Sequence, residues 1–329
     1  MRKRFALLAS IALFVFTSTA FSQVKIILDT DFGGDADDLG ALAMLHNFID
    51  RGECDLLAVM CWSTEQHAVP GIDAVNRYYK HLDIPIGVRK GDTFSESWHH
   101  GKSIADNFPY KLTYADAPNA TLLYRKLLAK SDDKSLVIVT IGPLMNIQNL
   151  IKSDPDSSST LTGKALIEKK VKEFVIMGGQ FPQGESEWNF DGRMPGVTQF
   201  VIQNISVPIT FSGYEIGLAI KTGDVFNDID AHSPLYIGTM HFSQHAPWMK
   251  ANFKGRILDN STYDQTAVLY AVRKGLATYW DKVSGYCVPD EKGGNKWIND
   301  SKGSHAYLKL KVKPEEMATL IESFMLNKF

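Results

Sequence analysis

The stretch Ile26-Ile27-Leu28-Asp29-Thr30-Asp31-Phe32-Gly33-Gly34-Asp35-Ala36-Asp37-Asp38-Leu39-Gly40-Ala41-Leu42 joins a short apolar run to five Asp in ten positions and then to an apolar helical pattern. Short runs rich in Val and Ile that lack strict polar alternation are what strands buried on both faces require. The same type of run recurs at about 55–61, 84–88, 135–141, 172–177 and 207–211, beside 24–28. Helical patterns lie between and after them, near 37–50, 68–81, 118–130, 143–151, 195–204, 262–274 and 314–325. Strand and crossover helix in alternation predict an α/β fold. The expected form is a single open, mostly parallel, Rossmann-like sheet with helices on both faces.

No 20 to 50-residue repeat and no linker divides the chain, although Ser153 to Thr162 is polar enough for a loop, so residues 23–329 are expected to form one domain. Asp29, Gly142-Pro143, Gly178-Gly179 and Ser212-Gly213 follow strand candidates and suit loops at the carboxyl edge of the sheet, where open α/β sheets bind ligands. Gly178-Gly179 lacks the G-x-G-x-x-G pattern of a dinucleotide site.

Five carboxylates between a buried strand and an apolar helix repel one another unless water or a cation separates them. Hard oxygen donors at this density suit Ca²⁺ or Mg²⁺ better than zinc. A cap at Asp37 or Asp38 on the helix that follows accounts for one or two Asp and leaves the others unexplained. An EF-hand loop beginning at Asp29, Asp31 or Asp35 needs Glu at its twelfth position, where Gly40, Leu42 and His46 stand. The pair Asp29-Thr30-Asp31 also fits the opening of haloacid-dehalogenase-like phosphatases, but Gly33 stands where those enzymes have Thr or Val.

The loop more closely resembles the opening signature D-x-D-P-G-x-D-D-x-x-A-L of the inosine-uridine-preferring nucleoside hydrolase family, with Phe32 for Pro and two residues inserted before the Asp pair. Further segments follow in the family's order. Gly142-Pro143-Leu144-Met145-Asn146 is similar to G-P-L-T-N, and Val175-Ile176-Met177-Gly178-Gly179 to V-x-M-G-G. Glu187-Trp188-Asn189-Phe190 resembles the E-x-N-x segment, and Tyr263-Asp264-Gln265-Thr266-Ala267 the H-D-P-x-A helix start, so the likeness spans residues 24 to about 275.

This resemblance implies an N-glycosyl hydrolase of ribonucleosides or related ribosides. Ca²⁺ would be held by Asp31, Asp38, Asp264 and the main-chain carbonyl of Ile141. Asp31 would also serve as general base for the attacking water, with an oxocarbenium-like transition state. Asp37, Glu187 and Asn189 would bind sugar hydroxyls, and His100, which with Gly101 resembles an H-G pair of some members, is a further substrate-binding candidate. Tyr263 occupies the place of the His that protonates a purine leaving group, and a phenol is the weaker acid. The family's D-P-x-A-A after Asn189 is replaced by Asp191-Gly192-Arg193-Met194-Pro195-Gly196, and its Asn after the second strand by Trp62-Ser63-Thr64-Glu65. These departures keep a second class in view, a non-catalytic metal-dependent protein that binds a sugar or nucleoside. Trp188 and Trp297 are candidates for stacking on a base or sugar, against the commoner use of a large aromatic in the core.

Arg2, Lys3 and Arg4 precede the apolar run Phe5 to Phe16, and Ala20 and Ser22 have the spacing of a signal peptidase site. Residues 1–22 are therefore expected to be a cleaved signal peptide, with the product periplasmic or secreted. No Cys stands just after the apolar run and no later segment reaches 18 apolar residues without charges, so no stable membrane anchor is expected. Loss of three basic residues leaves 32 against 37 acidic ones, with no basic block, which disfavours nucleic acid and leaves a small-molecule riboside as the expected partner. Association into a homo-oligomer is left open by the sequence. Cys54, Cys61 and Cys287 allow at most one disulfide, and Cys61 reads as core.

Overall fold

The computed structural model describes residues 23–91 and 98–328, so the signal segment expected at 1–22 lies outside the described residues. The described residues form twelve strands: β1 (Val24–Thr30), β2 (Cys54–Cys61), β3 (Ile86–Val88), β4 (Leu136–Ile141), β5 (Val171–Met177), β6 (Gln183–Gly184), β7 (Ile209–Ser212), β8 (Lys221–Thr222), β9 (Asn260–Ser261), β10 (Trp280–Pro289), β11 (Asn295–Asn299) and β12 (His305–Leu310). Ten of them make one sheet in the order β3-β2-β1-β4-β5-β7-β12-β10-β11-β6, while β8 and β9 pair apart from it. From β3 to β12 all neighbours are parallel. The edge from β12 through β10 and β11 to β6 is antiparallel.

The pleat sorts alternate residues of β1 into two cores. Ile26 and Leu28 join Leu39, Leu42, Ala267 and Val268 of the Asp37–Asp50 and Asp264–Arg273 helices. Ile27 faces the other way, onto Tyr124, Ile147 and Ile202. Helices therefore cover both faces, and the central strands are apolar throughout because neither face meets water. Truncating a side chain as enclosed as Ile27 would cost about 2 to 5 kcal/mol.

The sequence bounds are trimmed at two strands by proline. The run at 84–88 begins pairing only at Ile86 and that at 207–211 only at Ile209, because Pro85 and Pro208 have no N–H to donate. Their carbonyls still accept, from the N–H groups of Val59 and Phe174. The polar stretch Ser153 to Thr162 is a loop, and Thr162 caps the next helix, Gly163–Lys170, by accepting from the Ala165 N–H. Helices Gly101–Asn107, Tyr214–Ala219 and Pro234–His245 and strands β10 and β11 were not anticipated. All three cysteines are buried and free, and no helix among the described residues is long and apolar enough to cross a membrane.

The strand order reverses at β1. The connections to β2 and β3 run one way along the sheet, and β4, β5 and β7 lie the other way. Such a switch point opens a crevice at the carboxyl ends of the adjoining strands. Asp31, directly after β1, and Ile141, the last residue of β4, stand there.

Candidate active site

A cavity of about 420 Å³ lies at this crevice. Its floor is built from the first turns of two helices that converge on the end of β1. Asp37 and Asp38 open the Asp37–Asp50 helix, and Asp264 opens the Asp264–Arg273 helix. One carboxylate oxygen from each of these three residues lies within 4.8 Å of the others. Two helix N-termini thus aim their partial positive charge at the same carboxylates. Among the described residues, no salt bridge reaches any of the three.

Burial without a counter-charge raises every carboxyl in this cluster. Asp37 is pushed up to about 6 by desolvation, against hydrogen bonds that favour its ionised form. Desolvation and then the neighbouring carboxylates hold Asp38 and Asp264 well above the usual range. Asp31 is pushed up to about 7, again chiefly by burial. It lines the cavity with Ile141, and its Oδ2 accepts the indole N–H of Trp188 at 2.8 Å. Gly142 makes this approach feasible, since a Cβ there would lie 2.7 Å from the Asp31 nitrogen.

The expected site residues do not all take similar positions. Asp31, Asp37, Asp38, Ile141, Glu187, Asn189, Tyr263 and Asp264 share the cavity wall. Asp37, expected at a sugar hydroxyl, joins Asp38 and Asp264 in the tight carboxylate group. Its Oδ2 accepts from the backbone N–H groups of Tyr263 and Asp264 at 3.1 and 3.3 Å. Glu187 caps the turn Trp188–Asp191 by accepting from the Asn189 and Phe190 N–H groups and also accepts from Gly179; burial pushes it up to about 7. Asn189 is held by the Met177 carbonyl.

Two members of the acidic and histidine motifs lie elsewhere. Asp29 is not in the cavity wall: the Tyr124 hydroxyl and the Asn146 amide donate to its two oxygens at 2.9 Å each, beneath the sheet end. His100 is fully enclosed, edge-on to Phe32, and does not line the cavity. The lining histidine is its neighbour His99, whose ring packs so closely on Gly33 that a Cβ there would sit 2.0 Å from its Nε2.

Aromatic side chains form the outer wall. Trp62 meets Trp188 edge-on at 6.3 Å, Trp98 meets Trp248 at 5.7 Å, and Tyr263 stacks on Tyr214 at 5.2 Å with 18° between planes. Burial pushes the Tyr263 phenol up, away from any neutral-range acid. Only Trp188 of the tryptophans had been singled out for stacking at this site. Trp297, the other stacking candidate, packs on Phe181 and Tyr307 in the sheet's antiparallel part. Arg193 lines the cavity with its guanidinium 5.8 Å from the Trp188 ring centre.

Carboxylates beside an aromatic wall suit a ligand with a polar, hydroxyl-bearing end and a flat end. The sequence matches the family described as inosine-uridine preferring nucleoside hydrolase over residues 26–317. The fold is similar to that of a plant nucleoside hydrolase, at 17% identity and TM-score 0.65, with 92% of this chain and 98% of that one covered. It is also similar to a purine-preferring ribonucleoside hydrolase from Gardnerella vaginalis, at 18% identity, TM-score 0.68 and 92% and 96% coverage. An inosine-guanosine nucleoside hydrolase matches at 19%, 0.66, 92% and 98%. At these identities the structural likeness speaks for the fold. No curated protein sequence is matched.

Proposed function

The chain belongs to the inosine-uridine preferring nucleoside hydrolase family, and from that premise we propose that it is an exported, Ca²⁺-dependent enzyme that hydrolyses the N-glycosidic bond of ribonucleosides or related ribosides. The family places it among N-glycosyl hydrolases and sets aside the phosphatase resemblance of Asp29-Thr30-Asp31. The observation that carries the cation reading is the buried group Asp37, Asp38 and Asp264, whose oxygens lie within 4.8 Å of one another. The donors fit a hard cation, being buried carboxylates without a basic partner among the described residues. In this reading Asp31, Asp38, Asp264 and the Ile141 carbonyl hold Ca²⁺. Asp37, with Oδ2 committed to two backbone N–H groups, offers its second oxygen to the ion or to a sugar hydroxyl.

When bound, the cation would supply Lewis-acid polarisation of a water and of the sugar hydroxyls. Asp31 takes the proton as water attacks the anomeric carbon, and the bond to the base breaks with its electron pair moving onto the base. Trp188 keeps the Asp31 carboxylate oriented for this transfer. Glu187 and Asn189 hold the ribose, and the tryptophan wall stacks on the base and excludes water. Tyr263 in place of an imidazole favours leaving groups that need little protonation, such as nitrophenol, over hypoxanthine. It is also the observation that favours the second reading, binding of a riboside without turnover.

Release of ribose from inosine, uridine and 4-nitrophenyl riboside, with Ca²⁺ and with chelator, tests the proposal. Turnover in Ca²⁺ that disappears with chelator supports it. Riboside binding without turnover of any of the three would favour the binding protein.

A further inference from the structure

The leaving group's charge needs a partner that the acidic half of the site cannot supply. Among the described residues, six carboxylates line the cavity: Asp31, Asp35, Asp37, Asp38, Glu187 and Asp264. A base departing with the bond's electron pair is an anion, and the carboxylates oppose its formation. His99 lines the cavity as well, but burial lowers its imidazole below the usual range and so disfavours a positive charge there.

One basic side chain among the described residues that line the cavity stands on the aromatic side, Arg193. Its guanidinium lies 5.8 Å from the ring centre of Trp188, whose own N–H is bound to Asp31. The turn that carries it is unusual. Arg193 has φ +53° and Gly192 φ +52°, two consecutive residues in the left-handed region, which side chains other than glycine rarely adopt. Gly192 is seated so closely on Pro143 that a Cβ would come within 2.6 Å of it. The turn is thereby fixed to the Gly142-Pro143 corner that also borders Asp31. A strained, pinned turn that projects a guanidinium beside the indole wall is the arrangement a leaving-group site calls for.

We propose that Arg193 is a catalytic residue for leaving-group departure, donating N–H bonds to a carbonyl oxygen of the base as it becomes an anion. The proposal rests on the hydrolase reading. Arg193 keeps its own proton throughout, since a guanidinium does not deprotonate in proteins. The bond between C1′ and the base nitrogen breaks, its electron pair is delocalised onto the base carbonyl, hydroxide from water goes to C1′, and the water's proton goes to Asp31. The base anion then takes a proton from solvent.

The experiment compares wild type, Arg193→Ala and Arg193→Lys in their Ca²⁺-replete form on uridine and on 4-nitrophenyl riboside. Removal of one donor to a developing anion typically costs about 10² to 10³ in kcat. Arg193→Ala should lose about 10² in kcat on uridine and about threefold or less on the nitrophenyl riboside, whose leaving group already carries charge well. Arg193→Lys should recover part of the uridine loss. Equal losses on both substrates, or an effect confined to KM, would overturn the role of Arg193 while leaving the hydrolase reading intact. A wild type that turns over neither riboside would overturn both.

Discussion

The indole N–H of Trp188 donates to Oδ2 of Asp31 at 2.8 Å, joining the first residue of a short helical turn to the residue that follows the first strand, 157 positions away. Burial raises the Asp31 carboxyl to about 7, and this bond opposes the rise because it stabilises the ionised form. Trp188→Phe keeps a ring in place and removes the donor. The acid limb of kcat/KM should then move to higher pH by about 1 unit, a shift that corresponds to one hydrogen bond of ordinary net strength. A pH profile unchanged by the substitution would separate Trp188 from the base.

Asp37 satisfies the first N–H groups of the helix at Asp264 and so couples the two halves of the acidic floor. Asp37→Ala leaves two buried donors without that acceptor and should lower stability by about 1 to 3 kcal/mol in denaturant unfolding. Asp37→Asn retains an acceptor oxygen and should recover most of that loss. Both should weaken Ca²⁺ binding, because each removes a charge from the cluster.

Asp29 provides the contrast within the same motif. It is buried, accepts from Tyr124 and Asn146 and is pushed up to about 7 by burial. An Asn at this position would turn an amide toward one of two donors, so Asp29→Asn should cost about 1 to 3 kcal/mol in stability. Calorimetry should find its Ca²⁺ affinity within about twofold of wild type, as for a site more remote than Asp37 or Asp38.

Proton linkage gives a further prediction. The folded-state values of Asp31, about 7, and Asp37, about 6, lie above the ordinary 3.8, with Asp38 and Asp264 also well above it. Without a cation the folded chain therefore holds more protons than the unfolded one, and the stability this contributes is lost as pH rises through these folded values. Between pH 6.5 and 8, above the range where the buried His46 and His305, lowered to about 3 and about 4, affect stability, the chelated protein should lose thermal stability. Ca²⁺ should restore it. Binding needs ionised ligands, so affinity should rise with pH and protons should be released, as measured by calorimetry in two buffers of different ionisation enthalpy. An affinity independent of pH would remove these carboxylates from the site.

The parallel half of the fold was legible because its strands are buried on both faces and carry little else than apolar residues; proline alone displaced two of their ends. The edge formed by β10 and β11 was not, since there exposed Lys, Asp, Asn and Tyr residues interrupt the apolar pattern, as in burial that alternates along Trp280–Pro289. In the site, the acidic residues could be read because their density in one loop has few structural explanations. Asp29 shows the limit of that reasoning: strand pleat, which composition does not report, turns it away from its neighbours. The choice of His99 over His100 and the gathering of Trp62, Trp98, Trp188 and Trp248 depend on how distant segments dock. Arg193 stood out only as a departure from a motif.

Ribose release followed while Ca²⁺ is titrated into chelated wild-type protein, with cation occupancy measured in parallel, addresses the central claim most directly. The account predicts a rate on 4-nitrophenyl riboside that rises with occupancy and saturates at one Ca²⁺ per chain, and no rate at any Ca²⁺ concentration for Asp31→Asn. A rate indifferent to Ca²⁺, or full occupancy with no release of ribose, would contradict it.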